Sequence, residues 1–150
     1  MKKLASLVSL IFLVSCSNPA FMSVLSARQL SPDQAYSLLR NDPEVLVIDV
    51  RSQAEFQRGH LKGAILVPYN EIPARAEELL PFKDRKVLLY CGSGMRSRMA
   101  AASLERMGFS DVKELAGGLA SWPFEKVRDE QAAYGNAEGA VQNWGKQLDP

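Results

Sequence analysis

The stretch Val87-Leu88-Leu89-Tyr90-Cys91-Gly92-Ser93-Gly94-Met95-Arg96-Ser97 decides the reading of this chain. Its first four residues form an apolar run of the length of a buried strand. Beyond it, Arg98-Met99-Ala100-Ala101-Ala102-Ser103-Leu104-Glu105-Arg106-Met107 is rich in good helix formers and is stopped by Gly108. Cys91 to Ser97 is therefore a tight loop between a strand end and a helix N-terminus, with a thiol at its start. Gly92 and Gly94 allow the backbone to curl so that several N–H groups point at one spot. The partial positive charge of the helix end and the full charge of Arg96 favour a thiolate at Cys91. Gly92, Ser93, Gly94, Met95, Arg96 and Ser97 thus form an anion cradle around a nucleophile.

Working outward, strands alternate with helices. Ser31-Pro32-Asp33-Gln34 combines a serine cap, a proline at the first helical position and a glutamine that completes a capping box. Ala35, Leu38 and Leu39 give that helix one apolar face, and Asn41-Asp42-Pro43 breaks it. Val45-Leu46-Val47-Ile48 reads as a parallel strand covered on both faces, ended by Asp49-Val50-Arg51. Ser52 and Glu55 make a second capping box, opening a short helical turn that Gly59 closes. Ala64-Ile65-Leu66-Val67 is a strand stopped by Pro68. Asn70 is expected to cap a third helix through Leu79-Leu80, with Pro73 in its first turn. Val112 to Leu115 is the last strand, after which Gly117-Gly118 turns into a helix carrying Trp122. Val24-Leu25 is a short edge strand. The class is α/β, with a parallel sheet and helices on both faces, and ligands in such folds sit beyond the carboxyl ends of the strands, where Cys91 falls.

The chain of 150 residues suits one domain, and 47% hydrophobic against 23% charged residues describes a globular sequence. A net charge of +1 without a lysine or arginine block points away from nucleic acid. At the N-terminus, Lys2 and Lys3 precede the apolar stretch Leu4 to Val14, too short to span a bilayer, which ends at Leu13-Val14-Ser15-Cys16. This order resembles a bacterial lipoprotein signal, implying lipidation at Cys16 and residence in the cell envelope. Ser17, rather than Asp, after the cysteine implies the periplasmic face of the outer membrane. The expected organisation is a signal over 1–16, a tether over 17–23, a domain over 24–127 and a weakly packed tail over 128–150 with Tyr134, Val141 and Trp144 as its anchors. With Cys16 lipidated, Cys91 is a lone thiol in an oxidising compartment and has no partner for a structural bridge.

Three motifs then stand in one order: Val47-Ile48-Asp49-Val50-Arg51 leading to Glu55-Phe56 and Gly59-His60-Leu61-Lys62-Gly63-Ala64; the Cys91 to Ser97 loop; and Leu115-Ala116-Gly117-Gly118 with Trp122. Together they resemble the single-domain rhodanese family of sulfurtransferases, over about residues 24 to 127. The resemblance implies a five-stranded parallel sheet flanked by helices and no cofactor. It implies that Cys91 takes a sulfane sulfur from a donor anion such as thiosulfate or a polysulfide, carries it as a persulfide and passes it to cyanide, a small thiol or a protein thiol. Gly92 to Ser97 would cradle the charged sulfur, with Arg96 adding charge. Preorganised amide dipoles stabilise such an anion better than mobile water, so no general base is needed if the loop already ionises the thiol.

Supporting roles are expected for Asp49, Arg51 and His60. Asp49 is expected to bond loop backbone or Arg96, and Arg51 to pair with Glu55. His60, the sole histidine, matches the family's structural histidine, while Trp122 belongs to the core and Arg98 to a solvated helix face. Two departures stand out. Thiosulfate-using members often carry arginine or another polar residue after the cysteine, where this chain has Gly92. Pro123-Phe124 also replaces the family's usual glycine-containing ending.

Other chemistries fit less well. Tyrosine phosphatases use a longer Cys-to-Arg loop than the four residues separating Cys91 from Arg96. A thioredoxin-like redox site would need a second nearby cysteine, and a metal site more ligands than one histidine and one cysteine. The alternative of another class is a rhodanese fold used as a binding module at the membrane surface, against which the intact thiol loop argues.

Overall fold

The computed structural model describes residues 28–128. Cys16 and its signal, the 17–23 tether, the Val24-Leu25 strand and the tail beyond Arg128 lie outside the described residues. The strands are β1 (Gln29–Leu30), β2 (Leu46–Asp49), β3 (Ile65–Leu66), β4 (Lys86–Tyr90) and β5 (Asp111–Leu115). Between them run helices α1 (Pro32–Asn41), α2 (Gln53–Gln57), α3 (Ala76–Leu79) and α4 (Met95–Arg106), with single 3-10 turns at Leu80–Phe82 and Gly118–Ser121. All neighbouring strands are parallel, in the order β1-β5-β4-β2-β3. This is the expected α/β fold.

The apolar runs explain which strands are central. Every residue of β2, and every residue of β4 after Lys86, is buried, as a strand covered on both faces requires. Ala35 of α1 and Phe56 of α2 pack with Val47, Leu88 and Tyr90 on one face. Leu79 of α3 and Ala100, Ala101 and Leu104 of α4 pack with Ile48, Leu89 and Val112 on the other. Both expected capping boxes form: Ser31 with Gln34 opens α1, and Ser52 with Glu55 opens α2.

Three expectations change. Residues 70–75 make successive turns rather than a helix capped by Asn70; α3 begins only at Ala76, and Arg75 before it provides no side-chain cap. Ile72 is wholly buried there, and Arg75 reaches back to the Leu66 carbonyl at 2.8 Å, so tertiary anchoring overrides the cap signal. The segment after Gly117 is one 3-10 turn, and Trp122 lies just past its end, packed edge-on to Phe124 and buried as expected. Finally, α4 starts at Met95, inside the thiol loop, with Gly94 before it at φ 105°. Glycine takes that left-handed conformation without steric cost, which lets the helix begin directly beneath the curl of the loop.

Register places the chemistry. Asp49 of β2 lies opposite Tyr90 of β4, and the Val50 N–H donates to the Tyr90 carbonyl at 3.0 Å. The ends of the two central strands therefore meet at the residue before Cys91.

Candidate active site

Cys91 leaves the end of β4, and the chain turns at once into α4. The carbonyls of Cys91 and Gly92 face away from the curl, accepting from Leu119 N–H at 2.8 Å and Ala120 N–H at 3.0 Å of the Gly118–Ser121 turn. With those carbonyls held outward, the amides that follow point inward. The Gly94 N–H donates to Cys91 Sγ at 3.0 Å, and the amides of Ser97, Ser93 and Arg96 also converge on the sulfur. Burial pushes the thiol's pKa up, but the four N–H groups outweigh it and the net direction is down. Of the six loop residues named from the sequence, Ser93, Gly94, Arg96 and Ser97 bring their amides to the sulfur, the last two from the first turn of α4.

The sulfur sits deeper than a surface thiolate. Cys91 is 1% exposed and packs beneath the loop, whereas Met95 on the outer side is 74% exposed. Gly118 explains the tight wall behind it: a Cβ there would lie 2.6 Å from the Cys91 carbonyl oxygen and 2.7 Å from the Gly92 carbonyl. At Gly92 the space a side chain would take is bordered by the Arg96 guanidinium, 3.5 Å away.

The charged residues around the loop pair differently from expectation. Arg96 is held by Glu55 through two N–H···O bonds of 2.7 Å each, not by Asp49. That contact holds the Glu55 carboxyl well below the usual carboxylate range and raises Arg96. Arg51 instead grips Asp49, with Nη2 to Oδ2 at 2.6 Å and Nε to both carboxylate oxygens at 3.0 Å, and it reaches the Gly59 carbonyl at 2.8 Å. Burial alone would lower Arg51, but the Asp49 carboxylate more than offsets it. The swap follows from position. Asp49 and Arg51 close β2 behind the loop, while Glu55, one turn into α2, stands in front of it.

Behind the same strand end, Tyr90 is fully buried, accepts from Leu61 N–H at 3.0 Å and lies under the Arg51 guanidinium. His60 stacks on Phe56 with ring centroids 3.7 Å apart, its Nδ1 lies 3.0 Å from the Phe56 carbonyl, and its backbone pairs with Val127. These contacts tie α2 to the segment around Val127. Arg98 is exposed on α4.

One residue escaped the sequence reading. Glu114 of β5 is 2% exposed, and its Oε2 lies 3.2 Å from the hydroxyl of Ser97, itself wholly buried. The signal was its place two residues after Val112, which puts a carboxylate on the same inward face of the strand.

Comparison with known proteins gives this chain a family. The family described as Rhodanese-like domain matches residues 31–124. The chain belongs to that family. A rhodanese relative named Sulfurtransferase from Allochromatium vinosum is 39% identical over 84 residues, covering 56% of this chain and 77% of its own. A tRNA uridine(34) hydroxylase of Cytophaga hutchinsonii is 33% identical over 104 residues, but this chain spans only 33% of it. Among solved structures, a rhodanese with anions from E. coli superposes with a TM-score of 0.51 at 36% identity, covering 57% of this chain and 99% of that one. The match ends at Phe124, which stacks on Tyr36 at 4.0 Å, so Pro123-Phe124 closes the rhodanese domain against α1.

Proposed function

We propose that this rhodanese domain is a sulfurtransferase working through a Cys91 persulfide. The observation that carries the reading is the convergence of four backbone amides on Sγ, which favours the thiolate without a base. In the first half-reaction the Cys91 thiolate attacks the outer sulfur of a sulfane donor. A new S–S bond forms, the donor's S–S bond breaks, and sulfite or a thiolate departs with the bonding pair. The terminal sulfur of the resulting persulfide is anionic and lies among the N–H groups of Gly92 to Ser97. In the second half-reaction cyanide or a thiolate attacks that sulfur, and Cys91 leaves again as the thiolate.

Arg96 stands at the mouth, already neutralised by Glu55. Gly92 adds no side-chain donor. Both features favour persulfide and polysulfide donors over the thiosulfate dianion. The test is intact-mass analysis after incubation with polysulfide, a glutathione persulfide and thiosulfate. Gain of one sulfur atom, absent in Cys91→Ala and largest with the first two donors, is the expected result. No gain with any donor would leave a binding module as the better description.

The N-terminal motif supports a lipid anchor at Cys16 in the bacterial envelope, with the domain facing the periplasm. Labelling cells with a fatty-acid probe should mark the full chain and not Cys16→Ser; equal labelling would remove the anchor.

A further inference from the structure

The floor of the loop holds a buried acid that the two half-reactions above do not use. From Cys91 Sγ to Ser97 Oγ is 3.9 Å, and from Ser97 Oγ to Glu114 Oε2 is 3.2 Å. The Gly94 carbonyl, 3.0 Å from Ser97 Oγ, is the alternative acceptor for the hydroxyl's one proton. All three side chains are buried, and the Ser97 hydroxyl stands between the sulfur and the carboxyl. We infer that Glu114 is a positioning residue that exchanges the Cys91 proton through the Ser97 hydroxyl, so that thiol and carboxyl share one proton. The inference rests on Cys91 being the nucleophile proposed above.

The exchange balances within the chain. The thiol proton passes to Ser97 Oγ as the hydroxyl's own proton passes to Glu114 Oε2. An S–H bond breaks, an O–H bond forms, and no redox partner is involved. In the resulting state the neutral carboxyl donates to Ser97 Oγ, leaving the hydroxyl proton free to face the thiolate. The opposite state pairs the carboxylate with the thiol. Two full negative charges this close in a dry site would be costly, and that cost couples the two ionisations.

The surroundings set where the shared proton moves. Burial raises Glu114, and Ser97 opposes that rise. Arg28, ahead of β1, and Arg98 of α4 favour the carboxylate, while Glu105 of α4 disfavours it. Arg28 is already paired with Glu105 at 2.6 Å, and Arg98 is exposed. Along β5, Asp111 and Lys113 pair with one another, and on β4 Lys86 is engaged by Asp42. No neighbouring cation is thus committed to Glu114 by an ion pair among the described residues, and Cys91 is the ionisable group that the hydroxyl joins to it.

The test is the pH dependence of iodoacetamide alkylation of Cys91 in the wild type and in Glu114→Gln. Glutamine keeps the shape and can still donate to Ser97, but holds no exchangeable charge. The wild type should rise in two steps, because the thiolate fraction halts at a plateau while the proton is shared. Glu114→Gln should rise in one step and react up to about tenfold faster over the plateau. Superposable curves would overturn the inference. Should the variant fail to fold, the thiolate absorbance of Cys16→Ser, in which Cys91 is the one thiol, decides when titrated alone: a single step overturns the inference, two steps support it. Neither readout involves sulfur transfer, so absence of a persulfide in the mass experiment would defeat the proposed reaction while leaving this coupling standing.

Discussion

Two glutamates flank the thiol loop, and the protein treats them in opposite ways. Glu55 stands at the mouth, about a quarter exposed, where Ser52 and a bidentate Arg96 hold it ionised. Glu114 lies on the floor, buried, bonded by the Ser97 hydroxyl and, among the described residues, by no arginine in bidentate contact. The same side chain is therefore driven down in one place and up in the other. Water and a guanidinium decide the first case; loss of water decides the second. The sulfur transfer proposed above would gain from both. The mouth keeps one cation that is already balanced and not free to trap every passing anion. The floor keeps an acid that can be neutral when the sulfur is charged.

Behind the thiol, the loop is held by the close approach that Gly118 permits. Gly118→Ala places a Cβ within 2.7 Å of the Cys91 and Gly92 backbone, at a position with φ 61°. Backbone cannot yield there as a flexible side chain could, so the loop itself must shift. Displacement of the cradle by a fraction of an ångström to one ångström is expected to slow persulfide formation by about a hundredfold. Gly92→Ala, whose Cβ meets only the Arg96 guanidinium at ordinary contact distance, should cost far less. Stopped-flow rates for the pair would separate them, and equal losses would mean that the wall does not set the loop.

Much of this arrangement could be read before the fold was known. The continuous apolar runs of β2 and β4, the two capping boxes and the glycine-flanked cysteine each carry a local rule, and each appears where that rule puts it. What failed was of two kinds, long-range contacts and local backbone conformation or pairing. The Ser52 box identified the i+3 role of Glu55, but its bond to Arg96 spans 41 residues and depends on how α2 sits against the loop. The sequence suggests Glu55 as the partner of Arg51, whereas Asp49, two residues away at a strand end, is the neighbour on the same face. The start of α4 was placed late because Gly94 caps it by conformation rather than by a side chain. Asn70 had the right type for a cap, yet Ile72 and Arg75 are fixed by the core and by β3.

The opposed glutamates also predict opposed pH limbs of stability, and the larger belongs to Glu55. Its folded pKa lies below the ordinary value of 4.5, so the folded state releases a proton that the unfolded chain still binds as pH falls past that value. The stabilisation is complete above it and is lost on further acidification. Glu55→Gln should therefore lower stability by about 1 kcal/mol at neutral pH, a partly exposed bidentate pair being worth no more, and the difference should close toward acid. Denaturant melts across pH would read it, and a difference that widened toward acid would reverse the assignment.

Glu114 gives the smaller, mirror-image effect. Its folded pKa is raised, so between 4.5 and that higher value the folded protein keeps a proton the unfolded chain has released, and stability declines as pH rises. Glu114→Gln should match the wild type at pH 4 and become the more stable protein at neutral pH, by a margin below about 1 kcal/mol. Alkylating Cys91 beforehand removes the competing negative charge, lets Glu114 ionise more easily and should shrink that margin. A margin indifferent to alkylation would mean that the carboxyl responds to burial alone and does not sense the sulfur.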